Sequence, residues 1–138
     1  HDVMAGVVAG SRDLVAAARQ RICEVSPSEM HAMAPADQVL IDVREPAEYA
    51  SGHLPGAINL PRGVLEFQIH AHPAMGCSTS EALAASDRPL VLYCLSGGRA
   101  ALAADSLQQL GFSQVSSLAG GITAWREAGL PVTPGSTD

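Results

Sequence analysis

Cys94 is the residue whose setting points most directly to chemistry. It follows the apolar run Val91-Leu92-Tyr93 and opens Leu95-Ser96-Gly97-Gly98-Arg99, a short turn with two adjacent glycines that leads into a helix-patterned segment. A strand running into such a turn and then a helix aims successive backbone N–H groups, and the positive end of a helix dipole, at one atom. Those surroundings favour a thiolate over a thiol and offer an anion a place beside it. Cys94 therefore reads as a nucleophile. A buried, inert core cysteine is the plainer reading of most free thiols, and the strand-to-turn junction argues against it here.

The other reactive side chains carry weaker signals. Asp42 and Arg44 end a short apolar run and fit an ion pair at a strand end. Arg99 has two readings that stay open: a partner for Asp42 or another carboxylate that holds the turn in shape, or a cation for a bound anion. Ser96 either turns its hydroxyl to the sulfur or satisfies a turn amide. His53, within Gly-His-Leu-Pro-Gly, fits structural hydrogen bonding, and Trp125 fits a core anchor. His70-Ala71-His72 has the look of a metal pair, but no carboxylate or cysteine completes a ligand set. Neither a metal nor a cofactor is expected.

Composition limits the function classes. The 138 residues suit one domain, and 47% hydrophobic content supports a real core. Two Phe, two Tyr and one Trp leave most of the packing to Ala, Val and Leu. All eight basic residues are Arg, which removes a P-loop, a Schiff-base lysine and a kinase-type lysine together. The net charge of −6 disfavours nucleic acid, so an anionic substrate must be held by local amides and an Arg against the general field. No apolar run approaches the roughly 20 residues of a membrane span, and 1–10 lack the layout of a secretory leader. Cys23, Cys77 and Cys94 are an odd set at irregular spacing, so a disulfide framework is not expected and a cytoplasmic setting is.

The elements that position Cys94 follow from pattern. The spacing of Leu14, Val15, Ala18 and Ile22 predicts a helix over 11–21, capped by Ser11. Ser26-Pro27-Ser28-Glu29 is a capping box opening a short helix that ends before Pro35. Short strands are predicted over 38–43, 57–60, 89–93 and 114–118, with a helical turn over 45–49. The 62–80 connection is long and weakly patterned, and 81–85 predicts a small helix. After the cysteine turn, Ala100, Ala103, Ala104, Leu107 and Leu110 mark the buried face of a helix that Gly111 stops. Gly120-Gly121 then turns the chain into a last helix. Alternating strands and helices imply an α/β fold with a mostly parallel central sheet covered on both faces.

Three segments in this order resemble the rhodanese (sulfurtransferase) family. Leu40-Ile41-Asp42-Val43-Arg44, Glu48-Tyr49 and Gly52-His53-Leu54-Pro55-Gly56-Ala57-Ile58-Asn59 are similar to the family's amino-terminal signature. Tyr93-Cys94 with its turn resembles the active-site segment. Leu118-Ala119-Gly120-Gly121-Ile122-Thr123-Ala124-Trp125 resembles the carboxy-terminal signature. The implied organisation is a tail and extra helix over 1–21, a single rhodanese-like domain over 22–132 and a tail over 133–138.

The resemblance implies a two-step sulfur transfer, with Cys94 taking sulfur from thiosulfate or a persulfide or polysulfide donor and passing it to cyanide, a thiol or a protein acceptor. Leu95, Ser96, Gly97, Gly98, Arg99 and Ala100 would line the substrate site, with Asp42, Arg44 and Glu48 as supports. The six-residue Cys94–Arg99 loop has the length that this family associates with sulfur transfer. Phosphatases of the same fold carry one residue more, so phosphatase or arsenate-reductase chemistry is the lesser alternative. A non-enzymatic sulfur carrier or partner-binding module is the other. Glu48 stands where some thiosulfate-specialised members place an Arg, and Leu-Ser-Gly-Gly lacks their basic pair, which implies a persulfide or polysulfide donor. Cys77 is either an incidental thiol or one that resolves the Cys94 persulfide as a disulfide.

Overall fold

The computed structural model describes residues 10–33, 38–69 and 89–134. Five strands form one parallel sheet: β1 (Cys23–Val25), β2 (Val39–Asp42), β3 (Ile58–Asn59), β4 (Leu90–Tyr93) and β5 (Val115–Leu118), in the spatial order β1-β5-β4-β2-β3. The helices are α1 (Ser11–Arg19), α2 (Pro27–Ala32), α3 (Pro46–Ala50), α4 (Leu65–Gln68), α5 (Gly98–Gln109) and α6 (Gly121–Glu127). The predicted α/β class with a central parallel sheet is what the structure shows.

The period-2 alternation of the central strands divides the core. On one face Leu90, Leu92 and Cys94 of the β4 segment join Val39, Ile41 and Val43 beneath Ala100, Ala103, Ala104 and Leu107 of α5. On the other, Val91 and Tyr93 join Leu40 beneath Met30 of α2 and Ile122 and Trp125 of α6. Strands covered on both sides have no polar face, and β2 and β4 are accordingly buried at every position. Trp125 is 2% exposed and donates its indole N–H to the Pro131 carbonyl at 2.7 Å.

Several boundaries differ from the sequence reading. The short strand β1 was not expected. It pairs Cys23 with Ser116 and Val25 with Leu118, and its pairing with a distant strand leaves little local pattern. Helix α1 is capped by Gly10 rather than Ser11. Leu14 is 53% and Leu110 50% exposed, so neither belongs to the core. Leu110 is the carboxy-terminal cap of α5, where the chain is already leaving the helix for Gly111. The capping box at Ser26 is present, with the Glu29 amide donating to Ser26 Oγ and the Ser26 amide to Glu29 Oε1. The helix expected over 81–85, the His70-Ala71-His72 pair and Cys77 lie outside the described residues.

Candidate active site

The site lies beyond the carboxyl ends of the strands, where open α/β sheets bind ligands. Strand β4 delivers Cys94 to the start of a turn that becomes α5. The thiol is 1% exposed, and its Sγ accepts hydrogen bonds from the Gly97 amide at 3.1 Å and the Ala100 amide at 3.4 Å. Of the six residues expected to line a substrate site, these two aim amides at sulfur. Leu95 and Ser96 are exposed at the rim, Gly98 begins α5, and the Arg99 side chain turns away to Glu48. Two backbone N–H donors converging on one sulfur are an arrangement that accommodates negative charge.

The turn is tied down from behind by α6. The Ile122 amide donates to the Cys94 carbonyl at 2.9 Å and the Thr123 amide to the Leu95 carbonyl at 3.1 Å. Two glycines, Gly120 at φ 75° and Gly121 at φ 60°, make the approach possible. A Cβ on Gly121 would stand 2.5 Å from both the Cys94 and Leu95 carbonyl oxygens. The Leu118–Trp125 segment therefore acts as the back wall of the cysteine turn, a role that its sequence pattern alone did not reveal.

Asp42 and Arg44 form a buried corner beside β4. Asp42 Oδ1 accepts from the Arg44 amide at 2.9 Å, and Asp42 Oδ2 from Arg44 Nη2 at 2.7 Å. The same Nη2 donates to the Gly52 carbonyl at 2.6 Å, and the guanidinium carbon lies 5.6 Å from the Tyr93 ring centre. Burial pushes the Tyr93 phenol up, and its oxygen accepts the Leu54 amide at 3.0 Å. His53 stacks on Tyr49 with ring centres 3.9 Å apart, as befits a structural histidine.

Glu48 connects this corner to the cysteine turn. Its Oε1 accepts the Glu45 amide at the start of α3, while Arg99 Nη1 and Nη2 reach its two oxygens at 2.8 and 3.1 Å. The Arg99 hydrogen bond, set against partial burial, holds the Glu48 carboxyl down at about 2. The carboxylate that Arg99 meets is Glu48 rather than Asp42. A second arginine adjoins the turn from an unexpected direction. Arg19, at the end of α1, brings Nη2 to 3.0 Å from where a Gly97 Cβ would lie.

A cysteine turn with two amides facing its sulfur, on a five-stranded parallel sheet, defines the class: an α/β domain built around that turn. The rhodanese-like domain family matches residues 26–128, and the chain belongs to that family. It is 38% identical over 96 residues, 70% of this chain and 78% of the relative, to a sulfurtransferase of Allochromatium vinosum. It is 35% identical over 102 residues, 74% of this chain and 83% of the relative, to thiosulfate sulfurtransferase GlpE of Stutzerimonas stutzeri. Among solved structures, a Rhodopseudomonas palustris protein described as of unknown function and a possible tyrosine phosphatase superposes with TM-score 0.76 at 30% identity. That match covers 96% of this chain and all of the other. No helix among the described residues is long and apolar enough to cross a membrane.

Proposed function

We propose that this chain is a rhodanese-type sulfurtransferase that carries sulfane sulfur as a persulfide on Cys94. The observation that carries the reading is the Cys94 Sγ held under the Gly97 and Ala100 amides at the start of α5. In the first step the Cys94 thiolate attacks the outer sulfur of thiosulfate. A Cys94–S bond forms, the S–S bond of the donor breaks, and its electron pair leaves with sulfite. In the second, a thiolate or cyanide attacks the outer sulfur of the persulfide and regenerates the Cys94 thiolate, giving a new persulfide or thiocyanate. The attacking form is the thiolate, so neither step calls for a dedicated general base, and the amides that face the sulfur would stabilise its negative charge in both.

The sulfurtransferase names of the two sequence relatives support the reaction class, and the Stutzerimonas stutzeri relative supports thiosulfate as one donor. The engagement of Arg99 by Glu48 favours a donor that asks less of that cation, a persulfide or polysulfide. The test is the intact mass of the protein after incubation with thiosulfate and, separately, with polysulfide. Wild type is expected to gain one sulfur that cyanide removes, and Cys94→Ser to gain none. Loading of Cys94→Ser, or of neither protein with either reagent, would end the proposal. The tyrosine-phosphatase wording attached to the Rhodopseudomonas palustris protein names the rival chemistry. The six-residue loop speaks against it, and an aryl-phosphate assay is expected to stay flat.

A further inference from the structure

We propose that Arg19 is the cation that receives the anionic group of the incoming sulfur compound at the rim of the Cys94 turn, an assignment that rests on the sulfurtransferase reading. Arg19 lies outside the 26–128 family match, on the helix α1 that packs along α5. Three contacts place it. Ala18 is fully buried, Arg21 clamps both oxygens of Asp105 on α5 at 2.9 and 2.7 Å, and Val15 packs 3.6 Å from where a Gly98 Cβ would be. Helix α1 is thereby held alongside the first two turns of α5. Arg19 Nη2 then stands 3.0 Å from a Cβ position on Gly97, the residue whose amide donates to Cys94 Sγ.

The remaining charge near the turn explains why this cation matters. The chain carries −6 overall, so an anion approaching Cys94 needs a local positive group. Arg44 is buried against Asp42, Arg99 is paired in two-pronged fashion with Glu48, and Arg62 holds Glu66 and the Ser106 hydroxyl. Arg19 has a looser hold. Its ion pair with Glu24 is a 3.5 Å contact from Nε, and its side chain is 44% exposed. Among the described residues no acceptor meets its Nη atoms, and a planar guanidinium so placed fits the oxygens of a sulfur oxyanion or the terminal charge of a persulfide.

The test separates charge from access by comparing two alkylating reagents of similar size, anionic iodoacetate and neutral iodoacetamide, with the rates followed at Cys94 by peptide mass. At low ionic strength Arg19→Gln is expected to lower the iodoacetate-to-iodoacetamide rate ratio by about 3- to 10-fold while leaving the iodoacetamide rate unchanged. Arg19→Lys should keep most of the ratio, Glu24→Gln should raise it, and high salt should erase the differences. An unchanged ratio in Arg19→Gln overturns the proposal. So does an equal fall in both rates, because α1 would then merely shape the turn. A lowered ratio in a protein that loads no sulfur would keep the anion site and end the sulfurtransferase reading. Sulfur loading with an unmoved ratio would do the reverse.

Discussion

Arg99 and Glu48 meet across 51 positions of sequence as a two-pronged ion pair, at 2.8 and 3.1 Å. The pair joins the first turn of α5, and with it the Cys94 amide cradle, to helix α3 beside the Asp42–Arg44 corner. Both side chains are about one-third exposed, which places the interaction near the upper end of the range for surface pairs. A double-mutant cycle of Glu48→Gln and Arg99→Gln is expected to give a coupling of about 1 kcal/mol in urea unfolding. Glu48→Arg should destabilise this chain by setting two guanidinium groups together. Additive single mutants would show that the pair is incidental.

The same pair gives a pH dependence with a definite sign. Glu48 titrates at about 2 when folded, below its ordinary 4.5, mainly because Arg99 hydrogen-bonds its charged form. A depressed carboxyl stabilises the fold above its unfolded value and loses that contribution as pH falls toward the folded one. The stability difference between wild type and Glu48→Gln should therefore be constant above about pH 5 and shrink between about pH 4.5 and 2. Urea unfolding over a pH series checks this, and a difference that widens in acid would contradict it.

Asp42 should matter more to the fold than to the chemistry. Its carboxylate is fully buried and is the counter-charge of a nearly buried Arg44, which also reaches the Gly52 carbonyl. Asp42→Ala would leave a nearly buried guanidinium with the Gly52 carbonyl and the Tyr93 ring beside it but without its carboxylate counter-charge. The expected loss is about 3–5 kcal/mol, the range for breaking a buried pair from one side. Equilibrium unfolding measures it, and a loss under 1 kcal/mol would mean that water reaches Arg44 readily.

What was legible in the sequence follows the range of the interactions involved. Leu90–Tyr93, Cys94 and the helix behind it could be read because strand, turn and helix signals adjoin one another within 20 residues. Ser26 and Glu29 were legible for the same reason: a capping box is complete within four residues. Strand β1 was not, since its three residues become a strand through pairing with β5, some 90 positions away. The choice of Glu48 as partner for Arg99 and the approach of Arg19 to Gly97 depend equally on packing between remote elements. Leu14 and Leu110 show the converse, since helical periodicity marks a face without saying where the neighbouring element ends.

Gly121 offers the most discriminating test of how the cysteine turn is held. Its φ of 60° disfavours any side chain, and a Cβ there would press on the Cys94 and Leu95 carbonyls at 2.5 Å. Gly129 supplies the control, with φ of 77° and nothing within 4 Å of its Cβ position. Gly129→Ala should cost only the left-handed penalty of about 1–2 kcal/mol. Gly121→Ala adds a steric push between α6 and the turn, weakening the bonds from the Ile122 and Thr123 amides to the carbonyls that anchor it. The second variant is therefore expected to unfold at clearly lower urea than the first and, where still folded, to load sulfur at least 10-fold more slowly, a shift of about 1.4 kcal/mol in the barrier. Intact-mass kinetics at a urea-free, folded temperature read the second effect apart from the first. Equal loading by the two variants would show that the amide cradle around Cys94 keeps its shape without the back wall.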